Sequence, residues 1–558
     1  MKNIYFVLLL LTLSGLRLGA MPSLPAKGQE DRLHLFILGG ELSNSAATSV
    51  EDIDKVMPRM KALGLNTVLV PACWDLMEPQ EGQFDFTLID RTISQARQQQ
   101  LKVVFLWFGV WKNSMSCYTP QWVKTNTRRF PRAMTTTGKP LEIVSAFSDE
   151  VLKADNRAFE ALMKHIKEVD ANSETVIMMQ IENEIGMLED ARDHSQLAEE
   201  VYRKGVPEQL LTYLKKNKLH PWLQQRVNLK GKSWKEVFGD DLFSDEVFMA
   251  YSYAIYVETL AQTARKYASM PLYVNAAMNS RGRKPGEYPS AGPLAHLIDL
   301  WHAGAPTIDM LSPDIYDAGF KGWADRYALW NNRLFIPETR CCANAAARAF
   351  YTFGEHRALG FSPFAIDKAA AKEVEPITKA YRLLNELRPL LMNNKISSWG
   401  LLFDQQEKER VIDEGKLRLT CRHYFTLPWD ARATDGSVWP EGGAVVMRLA
   451  PNDYLIAGTG VVVSFATAYE QQFAVQRQLG EDGFVLADPQ HKENLLKTQS
   501  NRFAGKRMGL LFVEEVKVEK DGTLTYLRRH NGDEDHQGRH ARIAVGDFKI
   551  LHVKLYEY

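Results

Sequence analysis

From residue 33 to about residue 367, short apolar runs alternate with polar loops and stretches of helical periodicity. The first run, Leu33–Leu38, ends in Gly39-Gly40-Glu41. Next, Asp54 to Leu63 places Val56, Met57, Met60 and Leu63 at helical spacing, and Gly64 follows as a stop. Asn66–Val70 predicts a second strand, residues 88–100 a helix, and Leu101–Trp107 a third strand. Asn156–Asp170 predicts a helix with Phe159, Leu162, Met163 and Ile166 on one face, and Thr175–Ile181 a fourth strand. Pro271–Asn275, Ile308–Leu311, Leu334–Ile336 and Ala358–Phe361 bring the strand-like runs to eight. These runs are nearly continuous in apolar residues rather than alternating, which predicts burial on both faces and hence a parallel sheet. Eight such units over roughly 340 residues predict an α/β fold, a (β/α)8 barrel with insertions. A doubly wound open sheet is the alternative, although no GxGxxG follows the first strand to suggest dinucleotide binding.

The texture changes after a last helical stretch at residues 375–392, which ends at Asn393-Asn394. Ala444–Leu449, Tyr454–Ala457 and Val461–Phe465 are short β-like runs. Val516–Lys520 alternates, reaches Asp521-Gly522 and resumes at Leu524–Leu527, a hairpin pattern. The predicted organisation is therefore a barrel over residues 21–394 and an all-β, sandwich-like region over residues 395–558. Residues 1–20 read as a signal peptide. A short basic start, Met1-Lys2-Asn3, precedes the apolar run Ile4–Leu13, with Gly19-Ala20 beyond, and the run is too short to span a bilayer. The expectation is an exported chain, periplasmic or secreted, with no membrane span after processing.

Composition adds few constraints. Of 558 residues, 45% are hydrophobic and 24% charged, as in ordinary globular chains, and the formal net charge is zero. No basic excess points to nucleic acid. The five cysteines, an odd and low number, do not form a disulfide framework, and no Cys/His cluster suggests zinc. Neither a metal nor an organic cofactor is expected.

Catalytic residues of such barrels stand at the C-terminal ends of the strands. There the chain offers Glu41 after strand one; Trp74, Asp75 and Glu78 after strand two; and Trp107 to Lys112 after strand three. Asn183 and Glu184 follow strand four, Ser312 to Tyr316 strand six, and Glu338 strand seven. No GxSxG elbow or HExxH helix is present. Two carboxylates across a cleft are the minimum apparatus for breaking a glycosidic bond. Glu184 and Glu338 are the expected pair. The alternation of side chains along a strand is taken to turn Glu182 elsewhere. Asn183 is expected to reach a sugar 2-hydroxyl, Arg340 to keep Glu338 ionised, and Tyr316 to donate to Glu338. Trp74, Trp107, Lys112, Tyr316 and Glu41 are expected to line the sugar subsite, and Trp439 is a candidate sugar platform in the C-terminal region.

Asn183-Glu184 after strand four and a glutamate ending strand seven resemble the clan A glycoside hydrolases. The stretch Trp74-Asp-Leu-Met-Glu-Pro-Gln-Glu-Gly-Gln-Phe-Asp-Phe86 is similar to the strand-two signature of families 35 and 42, the β-galactosidases. Gly39–Asn44, Trp107–Asn113 and Gly360–Asp367 resemble the bacterial branch of family 35, which carries its own β-rich C-terminal domain. The resemblance implies Glu184 as acid/base, Glu338 as nucleophile and Asn183 as the 2-hydroxyl partner. Pro71 and Gly109-Val110-Trp111 depart from the mainstream of family 35 at galactose-reading positions. The expectation is a retaining, exo-acting β-galactosidase working on oligo- or polysaccharide by double displacement. The same apparatus on another β-linked sugar (a β-glucoside, β-glucosaminide or α-L-arabinopyranoside) and a non-catalytic polysaccharide-binding protein are the alternatives.

Overall fold

The computed structural model describes residues 33–558 apart from Asn172, Ser280, Tyr469 and residues 471–505. The expected signal peptide at residues 1–20 lies outside the described residues. All eight expected strands are present: β1 (Ile37–Glu41), β2 (Thr67–Cys73), β3 (Lys102–Lys112), then, after a hairpin of β4 (Arg132–Met134) and β5 (Pro140–Val144), β6 (Val176–Asn183), β7 (Leu272–Ala277), β8 (Met310–Ile315), β9 (Phe335–Thr339) and β10 (Gly360–Pro363). They close into a barrel in the order β1-β10-β9-β8-β7-β6-β3-β2. Every neighbouring pair is parallel. The chain is thus a TIM barrel followed by β-rich sheets.

Each barrel strand is buried on both faces because it serves two cores. Ile37, Leu69, Val104, Leu106, Met178, Tyr273, Met310 and Phe335 fill the barrel interior. Their neighbours Leu38, Val68, Val103, Phe105, Met179, Val274 and Leu311 face the surrounding helices. The long excursion from β6 to β7 holds five helices, the last being Leu242–Arg265. This excursion builds up the C-terminal rim of the barrel around the site.

After the helix Ala371–Leu391, ten strands among the described residues form two antiparallel sheets. The larger sheet has six strands, including β11 (Ser397–Phe403), β14 (Gly442–Ala450) and β15 (Asp453–Thr459), and the smaller has four. Leu401, Val446 and Leu551 of the larger sheet meet Leu419, Val463 and Ile543 of the smaller in one core, which makes the pair a sandwich. The larger sheet also packs on the barrel helix Ala345–His356. A Cβ on Gly400 would lie 2.4 Å from the Tyr351 carbonyl, and one on Gly443 would lie 2.4 Å from that of Ala347, so only glycine permits this approach. The Arg348–Glu441 and Arg410–Glu355 pairs flank the seam.

Candidate active site

Four carboxyls and one ammonium converge at the C-terminal end of the barrel: Glu41 on β1, Glu184 after β6, Asp314 on β8, Glu338 on β9, and Lys112 at the end of β3. All are buried. One oxygen each of Glu184, Asp314 and Glu338 lies within 4.8 Å of the others. Asp314 and Glu338 are direct register partners across β8 and β9.

Local irregularities aim these side chains. Three steps of β9, from Ile336 to Thr339, match two steps of β10, from Phe361 to Pro363. This β-bulge re-aims the strand end and brings Glu338 to the same side as Asp314. Likewise, five steps of β3 from Trp107 to Lys112 match two steps of β6 from Ile181 to Asn183. The looped-out stretch carries the Lys112 ammonium to 2.8 Å from the Asn183 amide oxygen. At the end of β6, Glu182 and Glu184 both adopt left-handed backbone, with φ of 57° and 46°. Regular alternation would have set these two glutamates on one face, being two residues apart. The left-handed turn is what separates them, so the expected divergence holds for a different reason than the one expected.

Glu184 is held by Asn113, whose amide donates to its carboxylate, and by the Asn275 side chain, which accepts its backbone N–H at 2.9 Å. Asn275 in turn donates to Asp314 at 2.6 Å. Burial, and then the charge of Glu338, push the Glu184 carboxyl up to about 7. Burial followed by the same charge pushes Asp314 well up. Glu41 is likewise shifted well up, first by burial and then by the charge of Glu338. Tyr316 donates its hydroxyl to Glu338. For Lys112, burial pulls the pKa down, but the surrounding carboxylates outweigh it and leave it raised. At neutral pH the cluster is therefore part protonated and balanced by one buried cation. The carboxylate spacing would suit a metal ion, and the Lys112 ammonium adds a positive charge that the surrounding carboxylates feel.

Of the expected site residues, Glu184, Glu338, Asn183, Tyr316, Lys112 and Glu41 come together. The Asn183 Nδ2 has no hydrogen-bond partner among the described residues and is free to donate. Trp74 and Trp107 are corrected. Both are fully buried on the outer face of the barrel wall, tilted against one another at 6.4 Å. The Trp74 indole N–H donates to Glu78, and that of Trp107 to Asp155 on the helix Asp149–Asp170. The reason is parity: Cys73, Leu106 and Phe108 point into the barrel, so Trp74 and Trp107, one position away, point out. Arg340 is corrected too, since it is exposed, 6.0 Å from the Tyr316 ring, and Lys112 is the cation beside the carboxylates. Trp439 stacks on His423 and donates to the Arg432 carbonyl, so it is a buried support rather than a platform.

No role was expected for Asp314, Asn275 or Asn113. Asp314 carried a usable signal, standing on β8 two positions before Tyr316, which lies just past the strand's end. The asparagines carried none, because their roles depend on which strands become neighbours. Behind the site, Glu182 accepts the Trp111 N–H at 2.8 Å and faces Asp155, which also takes the Tyr256 hydroxyl at 2.8 Å. Gly109 is required here: a Cβ would fall 2.3 Å from the Trp107 Nε1 and 2.7 Å from a Glu182 oxygen.

A parallel barrel whose rim gathers paired buried carboxylates belongs, by architecture, with barrel enzymes that act at that rim. Residues 44–239 match the family model described as β-galactosidase, glycoside hydrolase family 42. That segment includes Glu184 and stops short of Glu338. Residues 377–542 match a model described as a domain of unknown function, DUF5597. A β-galactosidase of Xanthomonas manihotis is 29% identical over 147 residues, which span 26% of this chain and 22% of that relative. Among solved structures, the β-galactosidase of the psychrophilic Marinomonas ef1 aligns at 15% identity and TM-score 0.47, covering 64% of this chain and 61% of that one. The β-galactosidase of the Antarctic haloarchaeon Halorubrum lacusprofundi aligns at 14% identity and TM-score 0.41, covering 62% and 58%.

Proposed function

We propose that the chain is a retaining, exo-acting β-galactosidase whose catalytic unit is the barrel of β1 to β10. The observation that carries this reading is the approach of the Glu184, Asp314 and Glu338 oxygens to within 4.8 Å, with Glu184 pushed up to about 7. Retaining glycosidases hold their two carboxyls about 5–5.5 Å apart, and inverting ones about 6.5–9.5 Å. A carboxyl that keeps its proton near neutrality is suited to protonating a leaving group.

In the first step Glu338 attacks the anomeric carbon, the glycosidic C–O bond breaks, and Glu184 gives its proton to the departing oxygen. A glycosyl ester of Glu338 results. In the second step Glu184, now a carboxylate, takes a proton from water. The water oxygen bonds to the anomeric carbon, and the Glu338 carboxylate leaves. Asn183 offers its free Nδ2 to the 2-hydroxyl, and Tyr316 supports Glu338 with its hydroxyl. Neither step uses a metal or cofactor. The slight exposure of Glu184 (3%) and Glu338 (4%), against 36% for Tyr316, supports a narrow cleft entered past Tyr316 by a chain end. β-Galactosides are favoured as substrates by the family match over residues 44–239. The apolar run Ile4–Leu13 supports export to the periplasm or medium.

The test is hydrolysis of a panel of nitrophenyl glycosides, with NMR following the anomeric configuration of the first-formed sugar. Preferential release of β-galactose is expected. Initial release of α-galactose would refute double displacement, and preference for another glycoside would refute the sugar assignment.

A further inference from the structure

Beside the catalytic cleft lies a second cavity of about 860 Å³, which the catalytic steps above do not use. It is walled by the helix Pro221–Arg226, the start of the helix Leu242–Arg265, the loop after β7 and the helix Phe320–Tyr327. Two of these walls grow directly from the catalytic rim. The helix Phe320–Tyr327 begins four residues after Tyr316. Asn279 lines the cavity two residues beyond Ala277, which is the register partner of Asp314. Strand spacing and two peptide steps limit the Cα separation of Asn279 and Asp314 to about 12 Å. The cavity therefore begins within reach of a sugar chain anchored at the carboxylates.

The lining combines flat faces with positive charge. Trp222, Phe243, Tyr288 and Trp323 supply the rings. The Arg326 guanidinium lies 4.5 Å from the Trp323 ring centroid, and the Arg226 guanidinium lies 4.5 Å from that of Phe243. The carboxylates present are committed. Glu246 accepts from Tyr288 at 2.9 Å and pairs with His296 at 2.9 Å, while Asp241 pairs with Arg226. Among the described residues, no ion pair joins the side chain of Lys284 or Arg326 to a carboxylate, although Glu287 accepts the Lys284 backbone N–H at 3.0 Å, and the Asn279 amide oxygen is buried without a donor. His220 is pulled downward, first by burial and then by the nearby charges of His296 and Arg326. An unbalanced cationic patch on aromatic walls favours a ring-shaped ligand that carries negative charge.

We propose that this cavity is an accessory subsite for anionic sugar residues, carboxylated or sulfated, on the leaving-group side of the scissile bond. This rests on the glycosidase reading of the neighbouring cleft. The arrangement would let the protein select galactosyl chain ends on acidic polysaccharide over those on neutral chains.

The test is calorimetric titration of the full chain with trigalacturonate, a sulfated galactotriose and neutral galactotriose. Wild type is compared with the Lys284→Gln/Arg326→Gln double variant. At least one anionic trisaccharide should bind about tenfold more tightly than the neutral one, and the double variant should lose that advantage. Preference for trigalacturonate would assign a uronic acid, and preference for the sulfated sugar a sulfate ester. Equal affinity for charged and neutral trisaccharides, or an advantage that survives in the double variant, would overturn the proposal. Circular dichroism of the variant guards against misfolding. Titration reads binding rather than turnover, so a wild type inactive on every nitrophenyl glycoside would refute the enzymatic reading without altering this result.

Discussion

Glu182 and Glu184 stand two residues apart at one strand end, and both are buried carboxyls displaced upward by burial. Their neighbours make them different chemical objects. Glu182 is sealed behind the barrel wall against Asp155, and the Trp111 N–H fixes one of its oxygens. Burial and the Asp155 charge keep the proton of that pair on Glu182. Glu184 instead faces Glu338 and Asp314 with Lys112 close by, at the mouth marked by Tyr316. Residue type and depth thus do not distinguish a supporting carboxyl from a reactive one. What distinguishes them is whether the groups around the proton are fixed protein donors and acceptors, or a cleft that a substrate can enter.

The largest expected effect falls on the cleft side. Glu338→Gly should reduce turnover of nitrophenyl β-galactoside by about 10⁴-fold or more. Added azide should restore part of the rate and yield an α-galactosyl azide; a variant with unchanged turnover would remove Glu338 from the mechanism. Next, Glu184→Gln should lower kcat/KM by roughly 10²–10⁴-fold on substrates with poor leaving groups, and by less on nitrophenyl ones. With Glu184 at about 7, wild-type kcat/KM should fall as pH rises through 7, because the proton to be donated is lost. The variant should lack that alkaline limb, and persistence of the limb would assign it to another group.

The sealed side should respond in stability. Asp155→Ala strips the acceptor from the Trp107 indole N–H and the Tyr256 hydroxyl. Leaving buried donors unpaired should destabilise the fold by about 3–5 kcal/mol, read by urea unfolding. Asp155 is pushed up to about 6 by burial, whereas an unfolded aspartate titrates near about 3.9. The folded chain therefore binds the proton more tightly. This group's contribution to stability should decline as pH rises from about 4 to about 6, and Asp155→Asn should flatten that slope. A slope unchanged by that substitution would break the contrast between the two faces. The smallest effect is expected for Tyr316→Phe, about tenfold in kcat with unchanged urea stability, since it removes one hydrogen bond to Glu338.

The eight barrel strands were legible because strands buried on both faces read as continuous apolar runs. The β4–β5 hairpin was not, being short and only partly buried. The helix Leu242–Arg265 is buried around most of its circumference, which erases the one-sided periodicity that reveals a surface helix. In the site, acidic residues at strand ends were visible as residue types, while the outward turn of Trp74 and Trp107 followed from a parity that apolar runs do not display.

By itself, the sequence determined the number and order of the barrel strands, the change to β structure near residue 395, and the strand ends that carry Glu41, Glu184 and Glu338. These follow from local hydrophobic pattern and chain order. Only the tertiary structure decided which way those ends face. The bulge in β9 brings Glu338 beside Asp314, the looped-out end of β3 delivers Lys112, and the left-handed turn at Glu182 parts two neighbouring glutamates. Such irregularities exist only relative to the register of a neighbouring strand, and that register is fixed when the barrel closes.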